Sequence, residues 1–164
     1  MKVKWFLVLF VSFCCVSTGF AAGQTAAPDT TQPIEITAQK LELIQQQRQS
    51  IFTGDVVATQ GDMTLSADKL TVFLLENQDQ IDRLEAVGTV KVVQLDRVAT
   101  ADRAVFYQLE EKLVLSGHAV VVQDNNKVSG EEIVIYLKEN RSVIKSSNNS
   151  RVKAVIVPVK KQEQ

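Results

Sequence analysis

Three glycines enter short apolar runs in the same way: Gly54-Asp55-Val56, Gly88-Thr89-Val90 and Gly117-His118-Ala119. Thirteen residues after each comes a small residue, a polar pair and a new apolar run. These are Ala67-Asp68-Lys69-Leu70, Ala101-Asp102-Arg103-Ala104 and Gly130-Glu131-Glu132-Ile133. The units are 34 and then 29 residues long, and the offset of 13 is held in all three. Ala38-Gln39-Lys40-Leu41 reads as the second half of an incomplete first unit. A unit this short cannot bury its apolar face alone, but neighbours stacked in register can. The repeat therefore predicts a stack of hairpin-like pairs, with each glycine permitting a sharp corner or bulge at the start of its strand.

Between the glycines the hydrophobic period is two. Val56-Val57-Ala58-Thr59, Leu70-Thr71-Val72-Phe73-Leu74, Val90-Lys91-Val92-Val93, Ala119-Val120-Val121-Val122 and Ile133-Val134-Ile135-Tyr136-Leu137 are β-branched or aromatic runs. Turn formers bound them: Thr53-Gly54-Asp55, Gln60-Gly61-Asp62, Glu76-Asn77-Gln78-Asp79, Asp124-Asn125-Asn126 and Lys138-Glu139-Asn140. Residues 41–49 suit helix or strand, and their flanks argue for strand. The fold class is all-β: stacked antiparallel strands in two facing sheets, open at both ends, with an apolar slot along the stack. Periodicity leaves open whether side chains or a ligand fill that slot. The end strands, Ile34-Glu35-Ile36-Thr37 and Val152-Lys153-Ala154-Val155-Ile156-Val157, are apolar, and Pro158 interrupts only the close of the second. Edges of that kind suit addition of a strand from another chain, or they tuck into the core.

Composition narrows the role. The chain has 164 residues, and its 18 basic side chains are cancelled by 19 acidic ones, which argues against an electrostatic nucleic-acid binder. Residues 1–21 read as an export signal. Lys2 and Lys4 precede an apolar run over 5–16, and cleavage after Ala21 puts small residues, Gly19 and Ala21, where they are required. The run is shorter than the roughly 20 residues a spanning helix needs, and no charged stop follows it. Removing the signal takes away Cys14, Cys15, Lys2 and Lys4, leaving about 143 residues, 16 basic against 19 acidic groups, net charge −3 and no thiol. The expected organisation is a flexible lead-in over 22–33, a folded domain over 34–159 and a polar tail over 160–164.

No catalytic constellation stands out. His118 is the only histidine, and it occupies the place of Asp55 and Thr89 in the sister units, so it is expected as an exposed turn residue. Without thiols or a second histidine, a metal site would need carboxylates alone. The pairs Glu110-Glu111 and Glu131-Glu132 read as solvated charge in turns. No phosphate-loop, nucleophile-elbow or calcium-loop spacing occurs. The expectation is a non-enzyme with no cofactor and no metal.

Five stretches resemble one family: Gln32-Pro33-Ile34-Glu35-Ile36; Phe52-Thr53-Gly54-Asp55-Val56-Val57-Ala58-Thr59-Gln60-Gly61; Leu65-Ser66-Ala67-Asp68-Lys69-Leu70; Leu115-Ser116-Gly117-His118-Ala119; and Arg151-Val152-Lys153-Ala154-Val155-Ile156-Val157-Pro158. Their order is similar to that of the OstA-like periplasmic lipopolysaccharide-transport proteins, over essentially the whole chain after the signal. Asp55 and His118 stand where that family often has asparagine, and residues 85–115 are the least family-like.

The resemblance implies a slightly twisted β-jellyroll with an apolar groove. It also implies a periplasmic location, and units that join head to tail by self-association. Partners would be lipopolysaccharide, through its lipid A acyl chains, and the inner-membrane-anchored and outer-membrane components of the transport machinery. ATP hydrolysis would belong to a separate transporter. Strand alternation then proposes the groove set Ile34, Ile36, Phe52, Val56, Leu65, Leu70 and Val72, continued by Val92, Phe106, Val120, Ile133 and Ile135. Edge contacts with a partner would come from Ile34, Ile36, Val152, Ala154 and Ile156. Competing readings are a membrane-anchored relative of the same system, and a self-associating β-scaffold that carries no lipid.

Overall fold

The structure is a computed structural model that describes residues 32–76, 80–147 and 151–157. The signal, most of the lead-in, Pro158 and the tail lie outside the described residues. Ten strands follow one another: β1 (Glu35–Thr37), β2 (Lys40–Ile44), β3 (Gln49–Gln60), β4 (Met63–Leu74), β5 (Ile81–Gln94), β6 (Arg97–Tyr107), β7 (Lys112–Gln123), β8 (Asn126–Tyr136), β9 (Arg141–Lys145) and β10 (Lys153–Val155). Residues 41–49 resolve into β2, a single 3-10 turn at Gln45–Gln47 and the start of β3.

All ten strands belong to one antiparallel sheet. β3 to β8 form an uninterrupted meander, β1 and β2 both pair with β3, and β9 and β10 both pair with β8. The stack therefore has eight rungs, its first and last each made of two short strands. The expected second half of an incomplete unit is real. Gln39, between β1 and β2, donates its backbone N–H to the Gly54 carbonyl at 3.0 Å and lies against Gly54. Asp68 lies against Gly88 and Asp102 against Gly117 in the same way.

The glycines do not begin strands. They sit in the middle of β3, β5 and β7, each at a break in register: Thr53/Val56, Val87/Val90 and Ser116/Ala119. Two expected turns are thus corrected: Thr53-Gly54-Asp55 and Glu131-Glu132 lie inside β3 and β8. The turn formers there serve a row of bulges that crosses the sheet. At Gly88 and Gly117 the φ angles are +79° and +74°, and a Cβ would collide with the Asp68 or Asp102 carboxylate. The residues that follow, Asp55, Thr89 and His118, are also left-handed at φ 45°, 43° and 49°. Asp and His tolerate that region, whereas β-branched Thr89 is strained in it.

This row turns one sheet into two faces. On the glycine strands the inward residues jump by four across it: Phe52 to Val56, Ala86 to Val90, Leu115 to Ala119. On the intervening strands they jump by three: Ala67 to Leu70 and Ala101 to Ala104. A bulge bends its strand and adds local twist, so a line of them creases the sheet. The two arms on either side share one apolar cluster, in which Leu115 and Ala119 are 0% exposed and Val56, Leu70, Ala86, Val90 and Ala104 are 1% exposed. The two facing sheets of the sequence reading are these arms.

His118 stands on the outside of the crease, exposed, with Nδ1 2.8 Å from Asp102 Oδ2. The hydrogen bond to Asp102, then that carboxylate's charge, then the more distant Glu131, raise its pKa above the ordinary histidine value. A raised folded pKa means the pair contributes stability below about pH 6.5, and that this is lost as pH rises through the folded value. An NMR titration of His118 is expected to give a midpoint above about 6.5, and Asp102→Asn to return it there. An unchanged midpoint in Asp102→Asn would contradict the pairing.

Candidate apolar groove

The inner faces of the two arms enclose a cavity of about 120 Å³. The first arm holds the 60–63, 94–97 and 123–126 turns and contributes Ile34, Ala58, Met63, Leu65, Val92, Ala99 and Val121. The second arm contributes Leu70, Leu84, Ala86, Ala104, Phe106, Leu113, Ile135 and Leu137. Alternation puts every second residue inside, and the alanines near the crease keep the arms close where they meet. The crease is closed by large side chains and the far strand ends are open, so the cavity is a groove with a mouth. A cavity of roughly 150 Å³ is filled by a benzene-sized ligand. A longer apolar chain would fit this volume only if the arms parted or side chains at the mouth moved.

The expected groove residues divide by position. Ile34, Leu65, Leu70, Val92, Phe106 and Ile135 line the cavity. Val56 and Ile133, 1% and 2% exposed, are core at the crease, and Ile36 and Phe52 pack against that core. Val72 is buried at 8% but lies outside the lining. Val120 is a correction: the lining residue is its neighbour Val121, so Val120 faces outward, paired with Thr100 and Ser129. The run Ala119-Val120-Val121-Val122 is apolar at every position and offers no contrast by which alternation could choose a face. Among the expected edge residues, Val152, Ala154 and Ile156 are exposed, Ile156 by 76%.

The mouth has two unlike lips. On the second arm it is apolar, with Leu84, Phe106, Leu113 and Leu137. On the first arm it carries Thr59, Gln60, Gln94 and Arg97. Three glutamines end the three glycine strands, and two tie one hairpin turn to the next. Gln94 Nε2 donates to Asp62 at 3.5 Å, and Gln123 Nε2 donates to Asp96 at 3.1 Å. Gln60, 7% exposed, donates to the carbonyl of Gln32 at 2.8 Å and so holds the entering chain. This polar lip was missed in the sequence, yet a signal exists. Gln60, Gln94 and Gln123 are spaced by the same 34 and 29 residues as the glycines.

The outer face of the second arm is stiffened differently. Phe73, Arg83, Tyr107, Lys112, Tyr136 and Arg141 are successive cross-strand neighbours. Cations stack on rings at Arg83–Phe73 (3.7 Å), Lys112–Tyr107 (4.3 Å) and Arg141–Tyr136 (4.1 Å). Glu85 bridges Arg83 and Arg103 at 3.0 and 2.9 Å. Partial burial pushes its carboxyl up, but the hydrogen bonds from Arg103 and Arg83 outweigh this and hold it below the usual range. Among the described residues no group of histidines and carboxylates has the arrangement of a metal site.

Residues 35–141 match the family described as LptA/(LptD N-terminal domain) LPS transport protein. The chain is 30% identical over 141 residues to the lipopolysaccharide export system protein LptA of Escherichia coli K12, covering 82% of this chain and 76% of that protein. It is 30% identical over 142 residues to LptA of Haemophilus influenzae, covering 82% and 83%. Its structure superposes on the crystal structure of LptH, the LptA-homologous periplasmic component of the lipopolysaccharide transport device of Pseudomonas aeruginosa. That superposition has a TM-score of 0.71 at 26% identity and covers 80% of this chain and 99% of that one.

Proposed function

The chain belongs to the LptA/(LptD N-terminal domain) family of LPS transport proteins, and on that premise we propose that it carries lipopolysaccharide across the periplasm with the acyl chains in the groove. The observation that carries this reading is the cavity itself, apolar on both arms and open along the strand ends. Burying a methylene yields about 0.8 kcal/mol, so such a groove holds acyl chains with few directional contacts. Low directionality also lets a chain slide from one unit to the next, which suits transfer. The sugars stay outside the mouth. Residues 1–21 act as the export signal and are removed after Ala21.

The sheet edges supply the connection between units. β1 runs antiparallel to β3 and β10 antiparallel to β8. Following the alternation from β3 to β8 makes β1 and β10 opposite in direction. β10 of one copy therefore meets β1 of the next in the antiparallel sense and continues the same sheet, aligning their grooves. The inner-membrane-anchored and outer-membrane components of the machinery dock on the same two edges.

The test is lipopolysaccharide binding by the exported chain, measured by displacement of a solvatochromic lipid dye. Leu65→Glu and Leu113→Glu place a charge on the half-buried lining of each arm. Each is expected to weaken binding by about tenfold or more, because the carboxylate must be desolvated against an apolar ligand. Leu95→Glu, at a turn residue 64% exposed outside the lining, is expected to leave binding unchanged. Wild-type affinity in both folded groove variants would sink the proposal.

A further inference from the structure

Arg97 is the one charged residue among the described residues that line the cavity. It opens β6 and shares the inward face with Ala99, and its cross-strand partner is Gln94, also in the lining. Directly opposed side chains on one face stand about 5 Å apart at Cβ, so the guanidinium and the Gln94 amide N–H that is not given to Asp62 lie within reach of one ligand group. Arg83, Arg103, Lys112, Lys138, Arg141 and Lys145 are each paired with a carboxylate. Arg97 has no such partner among the described residues. Lys69, Lys91, Lys127, Arg151 and Lys153 lack a carboxylate partner among those residues too, but none of them lines the cavity. A guanidinium without a partner at the mouth of an apolar groove is placed for an anion that arrives with the ligand. Its planar fork suits the oxygens of a phosphate.

We propose that Arg97, with Gln94 beside it, binds the phosphate of a phosphorylated glycolipid whose acyl chains lie in the groove. This rests on the carrier reading above and adds to it a headgroup site and an orientation. The charged end of the lipid sits on the first-arm lip, and its chains pass over the apolar lip of Leu84 and Leu113 into the cavity. The apolar lip has no donor to offer, so the headgroup has one side on which to rest.

The experiment compares two probes, bis-phosphorylated hexa-acyl lipid A and the same lipid with its phosphates removed, on the exported wild-type chain, Arg97→Gln and Arg97→Lys. Wild type is expected to bind the phosphorylated lipid about tenfold more tightly than the dephosphorylated one. Arg97→Gln is expected to erase that preference while keeping wild-type affinity for the dephosphorylated lipid, and Arg97→Lys to retain part of it. An unchanged preference in Arg97→Gln overturns the site. So does an equal loss for both lipids, which would make Arg97 a packing residue. Saturable, Arg97-dependent binding of inorganic phosphate alone, as tight as that of the lipid, overturns the headgroup as the source of the anion. Wild type that binds neither lipid overturns the carrier reading itself, a different result from any of these. Circular dichroism confirms that the variants keep the sheet.

Discussion

Leu115→Ala is expected to lower the unfolding free energy by about 3 kcal/mol, within the range of roughly 2–5 kcal/mol for buried leucines. Leu115 is 0% exposed and lies at the crease on β7, between Ala104 of β6 and Ile133 of β8. The backbone around it is held by hydrogen-bonded ladders on both sides, so the wall cannot close over the lost methyls. The space opened stays open and adds to the adjoining groove. With a urea m-value of about 2 kcal/mol/M, the midpoint falls by about 1.5 M at unchanged m. Leu109→Ala, at a turn and 62% exposed, is expected to change stability by no more than about 0.5 kcal/mol. A loss below about 1 kcal/mol for Leu115→Ala would mean that the crease can collapse, and that the arms are less firmly set than the register implies.

Deleting residues 152–164 is expected to convert a concentration-dependent series of oligomers into a monomer. β10 is exposed along its whole length, and Val152, Val155, Ile156 and Val157 are 42%, 43%, 76% and 46% exposed. It is attached to β8 through three register pairs, from Lys153↔Ser129 to Val155↔Lys127. The proposed contact is heterologous and does not close on itself, so it builds open chains and not a fixed dimer. The two ends also differ in charge. On β1 and β2 Lys40 pairs with Glu42 and leaves Glu35, while at the other end Arg141 and Lys145 pair with Glu139 and Glu132 and leave Arg151 and Lys153. Unlike ends attract and like ends repel, which selects the head-to-tail arrangement over head-to-head. Light scattering on residues 22–164, and on the same chain without 152–164, measures both states. A strict monomer at every concentration for the intact chain would remove edge pairing as the mode of assembly.

The repeat was legible because the crease admits few residue types. Left-handed backbone at Gly88 and Gly117, each with an aspartate side chain packed where a Cβ would be, leaves glycine as the residue that fits. The same aspartates open the polar pair that follows the small residue thirteen positions on from the previous glycine. Gln39 was readable as a lone half-unit for the same reason, and it does stand against Gly54. Less was legible where chemistry gave no contrast. Val120 and Val121 are identical residues on opposite faces, and Gln94 and Arg97 look like ordinary turn-flanking polar residues until the hairpin turns both inward.

By itself the sequence determined the all-β class, the order of the strands and the spacing of the repeated glycines, which it placed at strand starts where the structure has them mid-strand. Each depends on local constraints: period two, turn residues and backbone angles open to glycine. Only the tertiary structure decided that the bend joins two arms of one sheet, which apolar residues meet across it, and that one lip of the groove is charged. Those are facts about residues from distant hairpins brought to the same side of a fold, and no local preference specifies which side that is.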